Sequence, residues 1–223
     1  MQKLTIPQAL FLLARDNATG KPLGNYNSYI QPAGALTELV MMGHLALRPG
    51  RKAVLDVVST APTGSEYLDT LLMSMAASKR AHGMQHWVSK FSCKRGRIRM
   101  IGEELVAKGI VEEVPAKYFG LFPVTRWAVR RQGPKLKLHA DMSKVLFTEN
   151  SRPDDWTGAV IALANAGHLL KRNFDRNKLS MHKDHIKQVV KDEQLGANAA
   201  KAAVKAIQAV IIISSAAAVS AIG

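Results

Sequence analysis

Cysteine is all but missing. Cys93 is the single one among 223 residues, so no internal disulfide can form and a reducing compartment is the simplest setting. No catalytic signature surrounds Cys93, so it is not read as a nucleophile. Acidic residues are also scarce: 17 Asp and Glu stand against 31 Lys and Arg, a formal charge of +14 and a pI of about 10.1. Such a charge biases encounters toward polyanions, whether nucleic acid, an anionic membrane or an acidic partner, and also fits a domain that is merely basic. No secretory leader is expected, because Met1-Gln2-Lys3-Leu4 runs directly into a capped helix, and no lipidation motif is recognised at either end. Long apolar runs are missing until residues 206–223, which contain Val210-Ile211-Ile212-Ile213. That segment is at the lower edge for a bilayer span and is diluted by Gln208, Ser214, Ser215 and Ser220. The expectation is a C-terminal apolar helix buried in the core, with a tail anchor as the alternative.

Catalytic and metal-binding patterns are equally thin. The seven histidines are scattered, and His182 and His185 have basic neighbours rather than further ligands. Asp154-Asp155 and Glu103-Glu104 are adjacent carboxylates, which point apart on a helix and do not form an acid–base pair. Asp154 reads as the cap of a helix at Trp156, and Glu104 as a surface residue. Ser65 follows Gly64 without a nucleophile-elbow context. Pro62-Thr63-Gly64-Ser65 lacks the second glycine and lysine of a phosphate-binding loop. The chain is expected to be a non-enzyme, with no metal and no cofactor.

What is present is a globular composition, 47% hydrophobic, and a mostly helical pattern. Thr5 caps a first helix with Pro7 in its opening turn and Leu10, Leu12 and Leu13 on its apolar face. Helices are further expected over 31–42, after Ser65, from about 84 and 94, over 136–147, 156–174 and 183–192, and from 198 to the end. Short strands are expected at 45–47 and 53–58. The richest stretch is 94–129. It opens on Lys94, Arg95, Arg97 and Arg99 and continues as a helix through Ile98, Ile101 and Leu105 to a glycine cap at Gly109. Two alternating runs, 110–114 and 118–122, then read as a β-hairpin turning at Pro115-Ala116-Lys117. Lys94 and Arg97 lie three apart, and Arg95 and Arg99 four apart, so neighbouring cations can straddle one phosphate. A solvated charged face has the same pattern. So does a winged-helix nucleic-acid reader, supplied with Arg126, Arg130, Arg131, Lys135 and Lys137 beyond the hairpin; few side chains that read base edges accompany the cations.

Short strings in a fixed order add a resemblance. Leu4-Thr5-Ile6, Glu38-Leu39-Val40 with Gly43, Ala61-Pro62-Thr63-Gly64, Leu68-Asp69, Trp87-Val88, Leu105-Val106-Ala107-Lys108-Gly109-Ile110 and Gly120-Leu121-Phe122-Pro123-Val124-Thr125-Arg126 together resemble the Golgi phosphoprotein 3-like family, closest to its short bacterial-type members. The resemblance implies a single mainly α domain over 1–223, a helical bundle with small β-hairpins. It further implies a cytoplasmic peripheral membrane protein that binds anionic phospholipid headgroups, phosphatidylinositol 4-phosphate in the family, at the Golgi if the source is eukaryotic. An adaptor role for cytosolic tails of membrane enzymes follows from the same likeness; nucleic acid is not an expected partner, and an inert interaction scaffold is a further alternative. The family's R-x-x-R pair falls without a gap on Arg95 and Ile98, and with one inserted residue on Lys94 and Arg97, the preferred placement. Where the family has an arginine in the second helix this chain has Pro32, and Tyr26 or Tyr29 stands in for the pocket tryptophan. By the same analogy Tyr118, Phe119, Leu121 and Phe122 contact membrane or a second copy of the chain.

Overall fold

A computed structural model describes residues 3–23, 27–48, 54–92, 96–118, 121–149 and 151–190. The fold is mainly α. Helices α1 (Ile6–Leu13) and α2 (Asn27–Met41) precede strands β1 (Leu45–Arg48) and β2 (Val54–Val57). Then come α3 (Glu66–Ala76), the short β3 (His82–Gly83), α4 (Met84–Ser92), α5 (Gly96–Ala107) and the hairpin β4 (Val111–Tyr118) and β5 (Phe122–Val129). Helices α6 (Gly133–Phe147), α7 (Asp155–Ala166), α8 (Leu170–Asn173), α9 (Arg176–Met181) and α10 (Lys183–Val190) follow. Strands β1, β2 and β3 form an antiparallel sheet in that order, and β4–β5 a separate ribbon. Among the described residues no helix is long and apolar enough to cross a membrane. The expected helix over 198–223 lies outside the described residues.

Helix α1 is the axis. Every residue from Ile6 to Leu13 is buried, as befits a helix apolar nearly all round, and it packs against α2, α5, α6 and α7. Burying its first turn strands backbone donors that must find partners. Thr5 and Gln8 form the capping box, and the Glu38 carboxylate of α2 accepts from Ile6 N at 2.7 Å. Gln8, 1% exposed, donates to Glu104 Oε2 at 2.7 Å and accepts from Lys108 Nζ at 2.8 Å. The other Glu104 oxygen accepts from Ser65 Oγ at 2.8 Å and Tyr67 N at 2.9 Å. Glu104 is therefore no surface residue: one carboxylate ties the starts of α1 and α3 to α5. Its neighbour Glu103 faces outward, paired with Arg99 at 2.7 Å, so the two carboxylates do point apart.

The hairpin differs from the sequence expectation. Residues 115–117 are not a turn; β4 runs through them, pairing Pro115 with Thr125, and the chain reverses between Tyr118 and Phe122. In a two-stranded ribbon each strand is an edge, where a proline need not break a ladder bond. The ribbon is anchored at its base by Trp127, 8% exposed, whose ring meets Phe11 edge-on at 5.6 Å. Gly102 makes the room: a Cβ there would lie 2.5 Å from the indole. The expected 156–174 helix is broken as well. Gly167 sits where a Cβ would come within 2.9 Å of Ile30, and His168 takes φ 56°, which ends α7 before α8 begins. Helix α2 begins ahead of the expected residue 31, with Pro32 inside it. Gly109, at φ 64°, closes α5 with Ile110 N donating to Leu105 O at 2.9 Å, as the glycine stop requires.

Two buried cations near the hairpin base have no carboxylate hydrogen-bonded to them among the described residues. Arg15, 4% exposed, lies over the Phe11 ring at 3.5 Å, and burial pulls its pKa down to about 9. Lys135 Nζ donates to Arg15 O at 2.9 Å and Asn17 Oδ1 at 2.6 Å. Burial lowers the Lys135 pKa to about 8, against a partial offset from Asp16.

Two outcomes follow. Glu104→Ala leaves the Gln8 amide, the Ser65 hydroxyl and Tyr67 N–H short of an acceptor. It should lower urea-unfolding stability by roughly 3 kcal/mol; a loss below about 1 kcal/mol would show that water replaces the carboxylate. Lys135 binds its proton less tightly folded than unfolded, so between about pH 8 and 10 the unfolded chain holds more protons and stability rises with pH. Across that window the stability of the wild type should gain on that of Lys135→Met; a pH-independent difference would place the amine in water.

Candidate anionic-ligand site

The basic cluster is built on α4 and α5. Along α4 the residues Met84, Trp87, Val88 and Phe91 are buried, the i, i+3, i+4, i+7 spacing of a helix face turned to the core. Trp87 and Phe91 stack at 5.3 Å with an interplanar angle of 28°. Lys90 Nζ lies 4.7 Å over the Trp87 ring and Arg97 lies 4.4 Å over the Phe91 ring. The two aromatic rings thus carry a cation apiece.

Arg97 is the unusual member. It is 8% exposed, at the start of α5, and its Nη1 is buried with no hydrogen-bond partner. Burial lowers its pKa, with the phenol of Tyr67 acting in the opposite direction. Tyr67 itself, 1% exposed, is pushed above the usual phenol range by burial. No ion pair to Arg97 exists among the described residues. A buried guanidinium N–H without an acceptor is a cost to the folded state. A bidentate oxyanion, phosphate or carboxylate, is the group that would remove it.

The other expected site residues fall in different places. Arg99 is exposed and its Nε donates to Glu103 at 2.7 Å, so part of its charge is spent. Lys94, Arg95, Tyr26 and Phe119 lie outside the described residues. Tyr29 is half-buried and packs on the core from α2, so the ring serves at least in part as packing. Tyr118 closes β4 opposite Phe122. Leu121 and Phe122 are 77% and 64% exposed, so the tip of the hairpin is apolar and open to solvent. His182 and His185 are held by carbonyls, Nδ1 of the first 3.0 Å from Lys178 O and Nε2 of the second 2.8 Å from Val145 O. No group of metal-ligating side chains occurs among the described residues.

A family model for Golgi phosphoprotein 3 (GPP34) matches residues 6–210. The chain belongs to the Golgi phosphoprotein 3 family. None of the curated proteins compared with it matches. Within the family frame the geometry bears on the two placements of the R-x-x-R pair. Ile98, the second member in the ungapped placement, is a half-buried core contact; Arg97, the second member in the preferred one, has the unpartnered Nη1. Pro32, which the resemblance sets against a helix-two arginine, lies within α2 and carries no charge.

Phe91 and Tyr67 are not among the residues marked by the sequence, and Trp87 is marked only within the string Trp87-Val88, not as a site residue. The i, i+4 aromatic pair on α4, one short segment ahead of the cations, was the signal available. An Arg97→Met variant keeps the stem and deletes the uncompensated charge. It should unfold at the same or a higher temperature than the wild type by calorimetry. A marked drop in Tm would mean that Arg97 is a structural cation.

Proposed function

We propose that the chain is a peripheral membrane protein that binds anionic phospholipid headgroups through Arg97, with Lys90, Lys94 and Arg95 as flanking cations. The single observation that carries this is the buried Nη1 of Arg97, without a hydrogen-bond partner in a guanidinium that lies over Phe91. Family membership supports it at the level of a lipid-associated role at membrane surfaces. Phosphatidylinositol 4-phosphate is the first ligand to test. The departure at Pro32 favours a less selective site, which in a bacterium would take another anionic lipid. Each basic residue near an anionic surface contributes about 1 kcal/mol, so a patch of this size holds a protein reversibly without an anchor. Leu121 and Phe122 at the hairpin tip supply the apolar part, about 1.5–3 kcal/mol for each side chain taken fully out of water. The same tip would serve a contact with a second copy of the chain. Cytosolic tails of membrane enzymes are the partners the family reading adds. The proposed role is binding rather than catalysis, on the cytosolic face of a membrane, the Golgi if the source is eukaryotic.

The nucleic-acid alternative draws on the succession of α5 and the hairpin. The buried face of α5 carries Arg97, Ile101, Gly102 and Leu105, and its exposed face carries the Arg99–Glu103 ion pair. That face offers a phosphate backbone little uncommitted charge, which favours the lipid reading.

Co-sedimentation with liposomes containing phosphatidylinositol 4-phosphate, phosphatidylserine, phosphatidylglycerol or cardiolipin, beside a duplex DNA control, tests the proposal. Arg97→Met should weaken binding to the preferred liposomes tenfold or more, and Lys94→Ala with Arg97→Met further. Unchanged liposome binding in the double variant sinks the site; salt-sensitive duplex binding without liposome binding would turn the reading to nucleic acid.

A further inference from the structure

Two histidines stand beside the aromatic pair that carries Lys90 and Arg97. His82 belongs to β3 and His86 to the first turn of α4. Their rings are stacked at 3.9 Å with an interplanar angle of 13°. Both meet the buried Trp87 edge-on, at 5.5 and 5.3 Å. From Trp87 the contacts run on to Phe91 at 5.3 Å, and from Phe91 to Arg97 at 4.4 Å. Pairing with Leu55 of β2 fixes the backbone of His82, while α4 fixes that of His86. His86 and Lys90 are four residues apart and both exposed, so they share one face of the helix.

The charge around the pair is mainly positive. Lys90 follows on α4. Lys79 and Arg80, beyond the end of α3, line a cavity of about 150 Å³ together with Trp87. The carboxylate in that lining is Asp56 of β2, which is bonded to Arg48 at 2.9 Å. Helix α2, which also packs on α4, has Glu38 as its one charged residue, and that carboxylate accepts from Ile6 N. No ion pair to either imidazole exists among the described residues. Burial first, then His82 and Lys90, hold the His86 pKa below the usual histidine range, so this ring is neutral at neutral pH.

We propose, resting on the headgroup reading at Arg97, that the stacked His82–His86 pair makes that site proton-sensitive, so that it holds anionic headgroups more tightly as the pH falls. An anion drawn to Lys90 and Arg97 offsets the repulsion that opposes a proton on His86. Binding therefore takes up a proton, and by linkage the proton raises the affinity by the same factor. It places a further cation one turn from Lys90, worth about fivefold in affinity near an anionic surface.

The full chain is sedimented with phosphatidylcholine vesicles containing phosphatidylglycerol, at pH 7.5 and pH 5.5 and at one ionic strength. Phosphatidylglycerol is a phosphodiester and keeps its single charge across this window, whereas a phosphomonoester does not. Binding should tighten about fivefold or more at the lower pH. His86→Gln, and His82→Gln with His86→Gln, checked for folding by circular dichroism, should cut that gain to less than about twofold. Arg97→Met should weaken binding at both pH values. Equal binding of the wild type at the two pH values, or a gain kept by either histidine variant, would overturn the proton-sensitive pair and leave the headgroup reading standing. A wild type that sediments with the vesicles at neither pH would overturn the headgroup reading itself, and this inference with it.

Discussion

The carboxylate of Glu104 is the interaction on which the arrangement turns. Helix α1 is buried along its length, and a buried helix start must have its polar groups met from outside the helix. Glu104 meets Gln8 there and, with its other oxygen, Ser65 and Tyr67 N at the head of α3. The register of α5 against α1 and α3 is thereby set, and two consequences follow along the same helix. Gly102 comes opposite Trp127 and seats the hairpin. Arg97, seven residues before Glu104 and so about two turns away, comes over Phe91 and beside Tyr67. The structural clamp and the candidate ligand site are two ends of one helix.

Positive charge is distributed in this molecule in a way that composition alone does not show. Among the described residues most cations are at least partly exposed, but Arg15, Arg97 and Lys135 are buried. Arg15 and Lys135 donate to backbone carbonyls near the C-terminal end of α1, where a cation also suits the helix dipole, and Arg15 lies over Phe11 although its Nε has no acceptor. The Nη1 of Arg97 is likewise left without an acceptor, a cost that a bound oxyanion would remove.

Local signals suffice where local physics decides. The Thr5 cap, the Asp154 cap and the glycine stop at Gly109 are properties of a few neighbouring residues, and all appear as expected. Long-range packing decided the rest. Within 156–174 Gly167 is a local stop signal, and the close approach of Ile30 from α2, a residue far away in the chain, keeps that position a glycine. Pro115 looks like a turn until the pairing with Thr125 shows that its strand has a free edge. Glu104 looks like half of an exposed acidic pair until Gln8 and Ser65 arrive beside it.

The candidate site divides the same way. Charge, helical spacing and the ordered strings were enough to mark the cations before α5 and to place the chain among the Golgi phosphoprotein 3 proteins, since these are patterns along the chain. Which of those cations is solvated, which is paired and which is buried without a partner depends on what the opposing helices bring, and a sequence does not state the distance between α3, α4 and α5. Arg97 and Arg99 are near neighbours of the same type. Packing sends one under Phe91 and Tyr67 and the other to Glu103 in water, because a helix turns about 100° per residue and only one of its faces can meet the core.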